Sequence, residues 1–186
     1  YSGWQFIDSI SHEARLERYG LDFGYSPDPA AIVACYFYNG GYILDEICYN
    51  KGVSNAELAG ILKNQPRALV IADSAEPKSI DEIKLFGINI IGTSKGADSV
   101  RYGVKVVQDQ KISVTKRSLN LIKEYRNFFQ AMDRRTNTQI IGEYDGERHA
   151  LDAVRYGLCS LIPIITRQEM RKNFYQFPSK PQTNPV

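Results

Sequence analysis

The chain has 186 residues, 43% of them hydrophobic and 24% charged, with a formal net charge of +2. That balance suits one substantial globular domain with flexible ends, and no apolar run approaches the ~20 residues of a membrane helix. So small a charge carries no argument for nucleic-acid binding by itself; only a local basic patch would. No signal-peptide pattern opens the chain, and Tyr1 in place of Met suggests a piece of something longer. Cys35, Cys48 and Cys159 are odd in number, far apart and set in apolar segments. They read as buried free thiols rather than zinc ligands or a disulfide framework.

Residues 1–17 are mixed, with Trp4, Phe6 and Ile7 as anchors, and read as a linker or docking arm. A strand then runs into Gly20-Leu21-Asp22-Phe23-Gly24, and Ala30 to Tyr38 forms the next. Asn39-Gly40-Gly41 is a tight turn into a returning strand from Tyr42 to Tyr49, since Asn-Gly between two such runs signals a hairpin. These strands form an antiparallel meander. Ser54-Asn55-Ala56-Glu57 is a capping box opening a helix with Leu58, Ile61 and Leu62 on one face. Ala68 to Ala72 is a short apolar run, expected of a strand covered on both faces. Ser79-Ile80-Asp81-Glu82 reads as a second capping box, with Gly87 as the stop of its helix. Ile88 to Ile91 is a strand, Gly92 to Asp98 a loop, Ser99 to Gln108 a helix and Ile112 to Thr115 a strand. Ser118 to Met132 carries a stripe of Leu121, Ile122, Tyr125, Phe128, Phe129 and Met132, with Lys123, Glu124 and Asn127 outside it, and reads as one long helix. Asp133 to Gly146 is polar and irregular, a hairpin or loop. Glu147 to Ile162 is the last helix, stopped near Pro163, and the tail over 166–186 reads as partly disordered. Hairpin-linked strands followed by alternating strands and helices describe an α/β fold, a mixed sheet flanked by helices. That is the order expected of a ribonuclease H-like fold over residues 18–165.

Three aspartates sit in awkward places. Asp22 ends a core strand between two glycines, Asp73 ends the apolar run Ala68 to Ala72, and Asp152 lies inside the last helix. Each has an ordinary explanation, because aspartates cap helices and initiate turns. Together they suggest a carboxylate cluster, which cannot stay fully ionised without positive charge between its members. Mg²⁺ or Mn²⁺ supplies that charge through oxygen ligands. Two ions ~3.5–4 Å apart suit phosphodiester hydrolysis, with no protein nucleophile required. His149, Asp152 and Tyr156 share a helix face at offsets of three and four, and Ala150 and Ala153 keep that side slim.

Gly20-Leu21-Asp22-Phe23-Gly24, Ile71-Ala72-Asp73-Ser74-Ala75-Glu76-Pro77, Ile112-Ser113-Val114-Thr115 and His149-Ala150-Leu151-Asp152-Ala153-Val154-Arg155-Tyr156-Gly157 occur in one order along the chain. In this they resemble the C-terminal nuclease domain of large terminase subunits of tailed bacteriophages. The resemblance implies a metal-dependent endonuclease that cuts concatemeric viral DNA at the start and end of packaging. It implies metal-binding acids at Asp22, Asp73 and Asp152, with His149 beside two divalent ions; Asp28 and Glu76 read either as ordinary loop acids or as outlying contacts to that site. It also implies an N-terminal ATPase domain, a portal and a small terminase subunit as partners, in the host cytoplasm at the procapsid. Nothing here matches Gly-x-x-x-x-Gly-Lys-Ser/Thr, so this stretch is expected neither to hydrolyse ATP nor to translocate DNA.

Lys95, Arg101, Lys105, Lys116, Arg117 and Arg148, with Arg134 and Arg135, are candidates for sequence-tolerant phosphate contacts weakened by salt. No aromatic-basic stripe suggests base readout. Two rival readings remain at this point. One is an actin-like ATPase or sugar kinase, on the Asp-x-Gly-x-Ser pattern of Asp22 to Ser26. The other is a catalytically silent ribonuclease H-like module for docking DNA or a partner.

Overall fold

The computed structural model describes residues 1, 3–24, 27–93, 99–133, 135 and 138–161. The expected C-terminal tail, the last turn to Ile162, Lys95 and Arg134 lie outside the described residues.

The mixed sheet is assembled from β1 (Gln5–Ile7), β2 (Arg15–Asp22), β3 (Pro29–Tyr38), β4 (Gly41–Lys51), β5 (Leu69–Ala72), β6 (Ile90–Gly92) and β7 (Ile112–Thr115). Its spatial order is β1-β7-β4-β3-β2-β5-β6. The expected meander forms from β2, β3 and β4, with Tyr38 paired to Gly41 across a two-residue turn. Asn39 and Gly40 take positive φ, 48° and 71°, as a hairpin turn of this twist demands. All other neighbours in this sheet pair in parallel, so β3 alone runs against the rest.

Side-chain alternation along β3 feeds two cores. Ala31, Val33 and Cys35 join a cluster with Val104 and Val107 of α3 (Ser99–Gln108), Leu121 of α4 (Leu119–Asn127) and Leu151, Val154 and Leu158 of α5 (His149–Cys159). Ala30, Ile32 and Ala34 join Leu58 and Leu62 of α1 (Asn55–Lys63) and Ile80 and Ile83 of α2 (Pro77–Leu85). The same period of two governs the strands that carry the acids. Tyr19 and Leu21 face α1 and α2, as do Val70 and Ala72. Gly20 and Asp22, and likewise Ile71 and Asp73, therefore belong to the α5 side.

Helix α5 lies on β2 and β3 at contact distance. A Cβ built on Gly20 would stand 1.7 Å from the Ala153 carbonyl oxygen, and one on Gly157 2.9 Å from Cys35 Sγ. The sheet and the helix meet backbone to backbone, and only glycine fits.

In residues 1–17, Trp4 is buried and β1 extends the sheet by parallel pairing with β7. Three expectations need correction. Helix α2 starts at Pro77 with Glu76 as its cap residue, so Ser79 lies inside it and no capping box forms there. A proline already shaped for the first helical position sets the start three residues early. The long helix stops at Asn127. Phe128 turns extended, its ring stacked between Tyr1 and Tyr144, and β8 (Phe129–Asp133) pairs with β9 (Thr138–Asp145) as a separate ribbon. The cross-strand partner, invisible to local periodicity, overrides the helical stripe. Finally, α5 begins at His149 rather than Glu147.

Gly20→Ala is expected to destabilise the domain by at least the ~3 kcal/mol at the upper end of overpacking costs. Gly60→Ala, in the interior of α1 with nothing within 4 Å of its new Cβ, is expected to gain up to about 1 kcal/mol. Urea denaturation of the two variants reads the contrast.

Candidate active site

Asp22 is the last residue of β2 and Asp73 follows β5 directly. The two strands are parallel neighbours, with Leu21 paired to Ala72, so both acids emerge at one edge of the sheet. The Asp73 N–H donates to the Leu21 carbonyl at 3.2 Å, which continues the ladder to the acid itself. Asp73 Oδ1 accepts from the Ala75 N–H at 2.9 Å, the turn-forming bond that its position before Ser74 anticipates.

The first turn of α5 arrives over this edge. His149 Nδ1 lies 3.1 Å from Asp22 Oδ2, and its Nε2 lies 3.9 Å from Asp28 Oδ1. Gly24, at φ 60°, backs so closely onto the Pro29 carbonyl that a Cβ would fall 2.3 Å from its oxygen. That tight connection returns Asp28 to the histidine. Asp152 is one turn further along α5. Arg155 grips its Oδ1 through both Nε (3.2 Å) and a terminal nitrogen (3.0 Å), while Arg148 Nε stands 3.7 Å from Oδ2.

Asp22 feels both of the other aspartates. Burial pushes the Asp22 carboxyl up to about 6; the His149 hydrogen bond and charge oppose this, and the negative charges of Asp152 and Asp73 reinforce it. The Tyr156 phenol is likewise driven upward, by burial first and then by the charges of Asp152, Asp73 and Asp22. Glu76 stands at the start of α2, with no side-chain cap bond.

The basic candidates divide by what holds them. Arg117 forks onto Asp45, which is wholly buried and also accepts from Thr115 Oγ1 at 2.6 Å. Breaking that pair would strand a buried charge, so Arg117 is committed to the fold. Lys105 pairs with Asp109 at 2.6 Å and Lys116 with Asp8 at 2.8 Å, both on the surface, where such bonds contribute little. Arg101 is exposed on α3, and Arg135 is exposed beside the ribbon.

Sequence reasoning passed over Arg155, although its i,i+3 spacing from Asp152 was a usable signal. It also placed Glu124 outside the buried stripe, yet Glu124 is 2% exposed and lies under the N-terminus of α5.

No family model matches the chain. Among curated proteins, the large terminase subunit of Bacillus phage SPP1 is 37% identical over 169 residues, 84% of this chain and 40% of that protein. The PBSX phage terminase large subunit of Bacillus subtilis (strain 168) is 32% identical over 152 residues, 76% of this chain and 34% of that protein. The chain belongs to the large terminase family. It spans less than half the length of these relatives. Among solved structures, the nuclease domain of the SPP1 large terminase with bound Mn superposes with a TM-score of 0.72 at 28% identity, covering 86% of this chain and 97% of that one. The large terminase nuclease of phage G20c with bound cobalt matches at a TM-score of 0.55 and 16% identity over 82% of this chain and 85% of that one, a likeness of fold alone. The terminase domain described here is thus ribonuclease H-like.

A raised carboxyl destabilises the folded state once it must ionise. The Asp22 contribution is fully present below the ordinary value of 3.8 and is lost as pH rises through about 6. In chelator, Asp22→Asn is therefore expected to melt at a higher temperature than wild type above that window, the gap closing below it. Thermal melts across the pH range check the sign.

Proposed function

We propose that this terminase domain, over residues 18–165, is a metal-dependent endonuclease that cuts concatemeric double-stranded DNA during viral packaging, by two-metal phosphodiester hydrolysis with little sequence specificity. What supports the reading is that Asp22 and Asp73 leave adjacent parallel strand ends and that Asp22 feels the charges of both Asp73 and Asp152, the last carried on α5.

The donor set fits a hard divalent cation: three carboxylates, partly buried, whose repulsion a cation would relieve. Among the described residues no three His, Cys, Asp or Glu side chains already stand as a ready ligand set, and Asp152 is engaged by Arg155. Asp22, Asp73 and Asp152 would hold Mg²⁺ or Mn²⁺, which would activate the attacking water and stabilise the leaving oxygen. The remaining work falls to the chain. His149, bridging Asp22 and Asp28, orients the Asp22 carboxylate and stands ready to handle a proton at its Nδ1 or Nε2. Arg155 fixes the Asp152 carboxylate from one side. Asp28 stands 3.9 Å from the other ring nitrogen of the histidine, and Glu76 is an outlying acid at the start of α2.

DNA would be held by exchangeable cations. Lys105 and Lys116 can release exposed partners to phosphate, and Arg101 and Arg148 add charge, Arg148 beside the acids. The sign of their effect is a binding constant that falls with salt. In the whole protein this unit would act beside an N-terminal ATPase domain, with portal and small terminase subunit as partners, in the host cytoplasm at the procapsid. Family membership and an acid cluster favour this over the kinase-like reading of Asp22 to Ser26; Tyr25 and Ser26 lie outside the described residues.

Supercoiled plasmid incubated with Mn²⁺ is expected to be nicked and linearised by the wild-type chain, with scattered rather than unique cut sites. Asp22→Ala, Asp73→Ala and Asp152→Ala are each expected to lose more than the ~10–100-fold typical of outer-sphere partners. Cutting by these variants at the wild-type rate would sink the assignment.

A further inference from the structure

Glu124 is a buried acid that neither the acid cluster nor an ion pair accounts for. It sits on α4, among Lys123, Tyr125 and Arg126, yet is 2% exposed, and among the described residues no cation pairs with it. A carboxylate in that position is costly unless its oxygens are fully bonded. Its bonds all run toward one place. The Tyr49 hydroxyl donates to Oε1 at 2.8 Å and the Leu151 N–H to Oε2 at 2.9 Å.

Ala150 and Leu151 are the second and third residues of α5, whose own cap residue, Arg148, offers no side-chain bond. The first N–H groups of a helix need acceptors, normally supplied by a Ser, Asp or Asn just before it. Here the acceptor comes from another helix 27 residues away, and its negative charge meets the positive end of α5. The same first turn carries His149, and one residue past Leu151 comes Asp152. Tyr49, the other partner of Glu124, meets the His149 ring edge-on at 6.5 Å.

We infer that Glu124 is a positioning residue for the acid cluster. By holding the N–H group of Leu151 and the hydroxyl of Tyr49, it sets where the first turn of α5 presents His149 and Asp152 to Asp22 and Asp73. A local cap would stabilise α5 equally well but would leave the helix free to shift along the sheet. A cap anchored on α4 ties its start to the rest of the core. The inference rests on the metal reading of the three acids.

The test uses the 186-residue chain with Mn²⁺ alone as probe, its affinity read by electron paramagnetic resonance, and compares wild type, Glu124→Gln and Asp22→Ala. Gln keeps the shape but has one acceptor oxygen where Glu has two. Glu124→Gln is expected to melt within a few degrees of wild type yet bind Mn²⁺ about 10–100-fold more weakly, with faster hydrogen exchange at the Leu151 amide and shifted ring nitrogens of His149. If Asp22→Ala loses Mn²⁺ while Glu124→Gln binds it like wild type, the positioning role is overturned. If Asp22→Ala still binds like wild type, the metal reading fails. The role of Glu124 is then judged on the His149 ring signals, and their lack of movement overturns it. Should Glu124→Gln not fold, Tyr49→Phe removes only the bracing hydroxyl: weaker Mn²⁺ binding supports the role and unchanged binding rejects it.

Discussion

The contact on which the rest depends is that between the Gly20 backbone and the Ala153 carbonyl, where no side chain fits on the sheet side. It determines how closely α5 can approach β2, and α5 carries His149 and Asp152 while β2 ends in Asp22. Ala150, Ala153 and Gly157 continue the slim face along the helix, all in or against the same core. A larger residue at any of these positions would lift the helix and widen the gap between its acid and the two on the strands. Packing density here is a means of concentrating charge.

Concentrated charge then has to be accommodated, and the domain does so in two distinct ways. Asp45 is wholly buried and saturated by Thr115 and Arg117, with Ser118 joined to Thr115 at 2.7 Å. Every lone pair that matters has a fixed donor, so this acid stabilises a strand–helix junction and has nothing left for a ligand. Asp22 has His149 and the opposing charges of Asp152 and Asp73 around it, and its carboxyl is pushed up to about 6. An acid held at a disadvantage, at the rim of a sheet, is where a cation would be most welcome. Arg155, buried over the Tyr156 ring and against Gly103 of α3, holds Asp152 from behind. Glu46 plays the role for α4 that Glu124 plays for α5: its carboxylate accepts the Leu121 N–H at 2.7 Å. In both cases the helix start is pinned by a residue remote in sequence.

Elements with strong local signals could be read directly. The Asn39-Gly40 turn, the Ser54–Glu57 capping box, the helix from Ser99 and the strand from Ile112 follow from backbone preferences and side-chain periods of a few residues. The long helix was over-read because Phe128, Phe129 and Met132 continue a helical stripe. Their actual partners, Tyr1, Tyr144 and the strand β9, are supplied by other parts of the fold. Similarly, Trp4 and β1 gain their place only through β7, more than a hundred residues on.

Residue type and order along the chain were enough to single out Asp22, Asp73 and Asp152 as candidates, because acids at the ends of apolar strands and inside a helix are poor choices for packing alone; His149 joined them through the resemblance. Order also sufficed for the mixed sheet, through the alternation of hairpin, strand and helix signals. Burial, partner and direction were decided only by the tertiary structure. Lys105, Lys116 and Arg117 look alike as sequence, yet a buried Asp45 claims the last while exposed aspartates hold the other two. Glu124 looks like one more charge on a solvated face and is instead the cap of a distant helix. Electrostatic and hydrogen-bonding roles depend on what else occupies the same few ångströms, and that is a property of the folded chain.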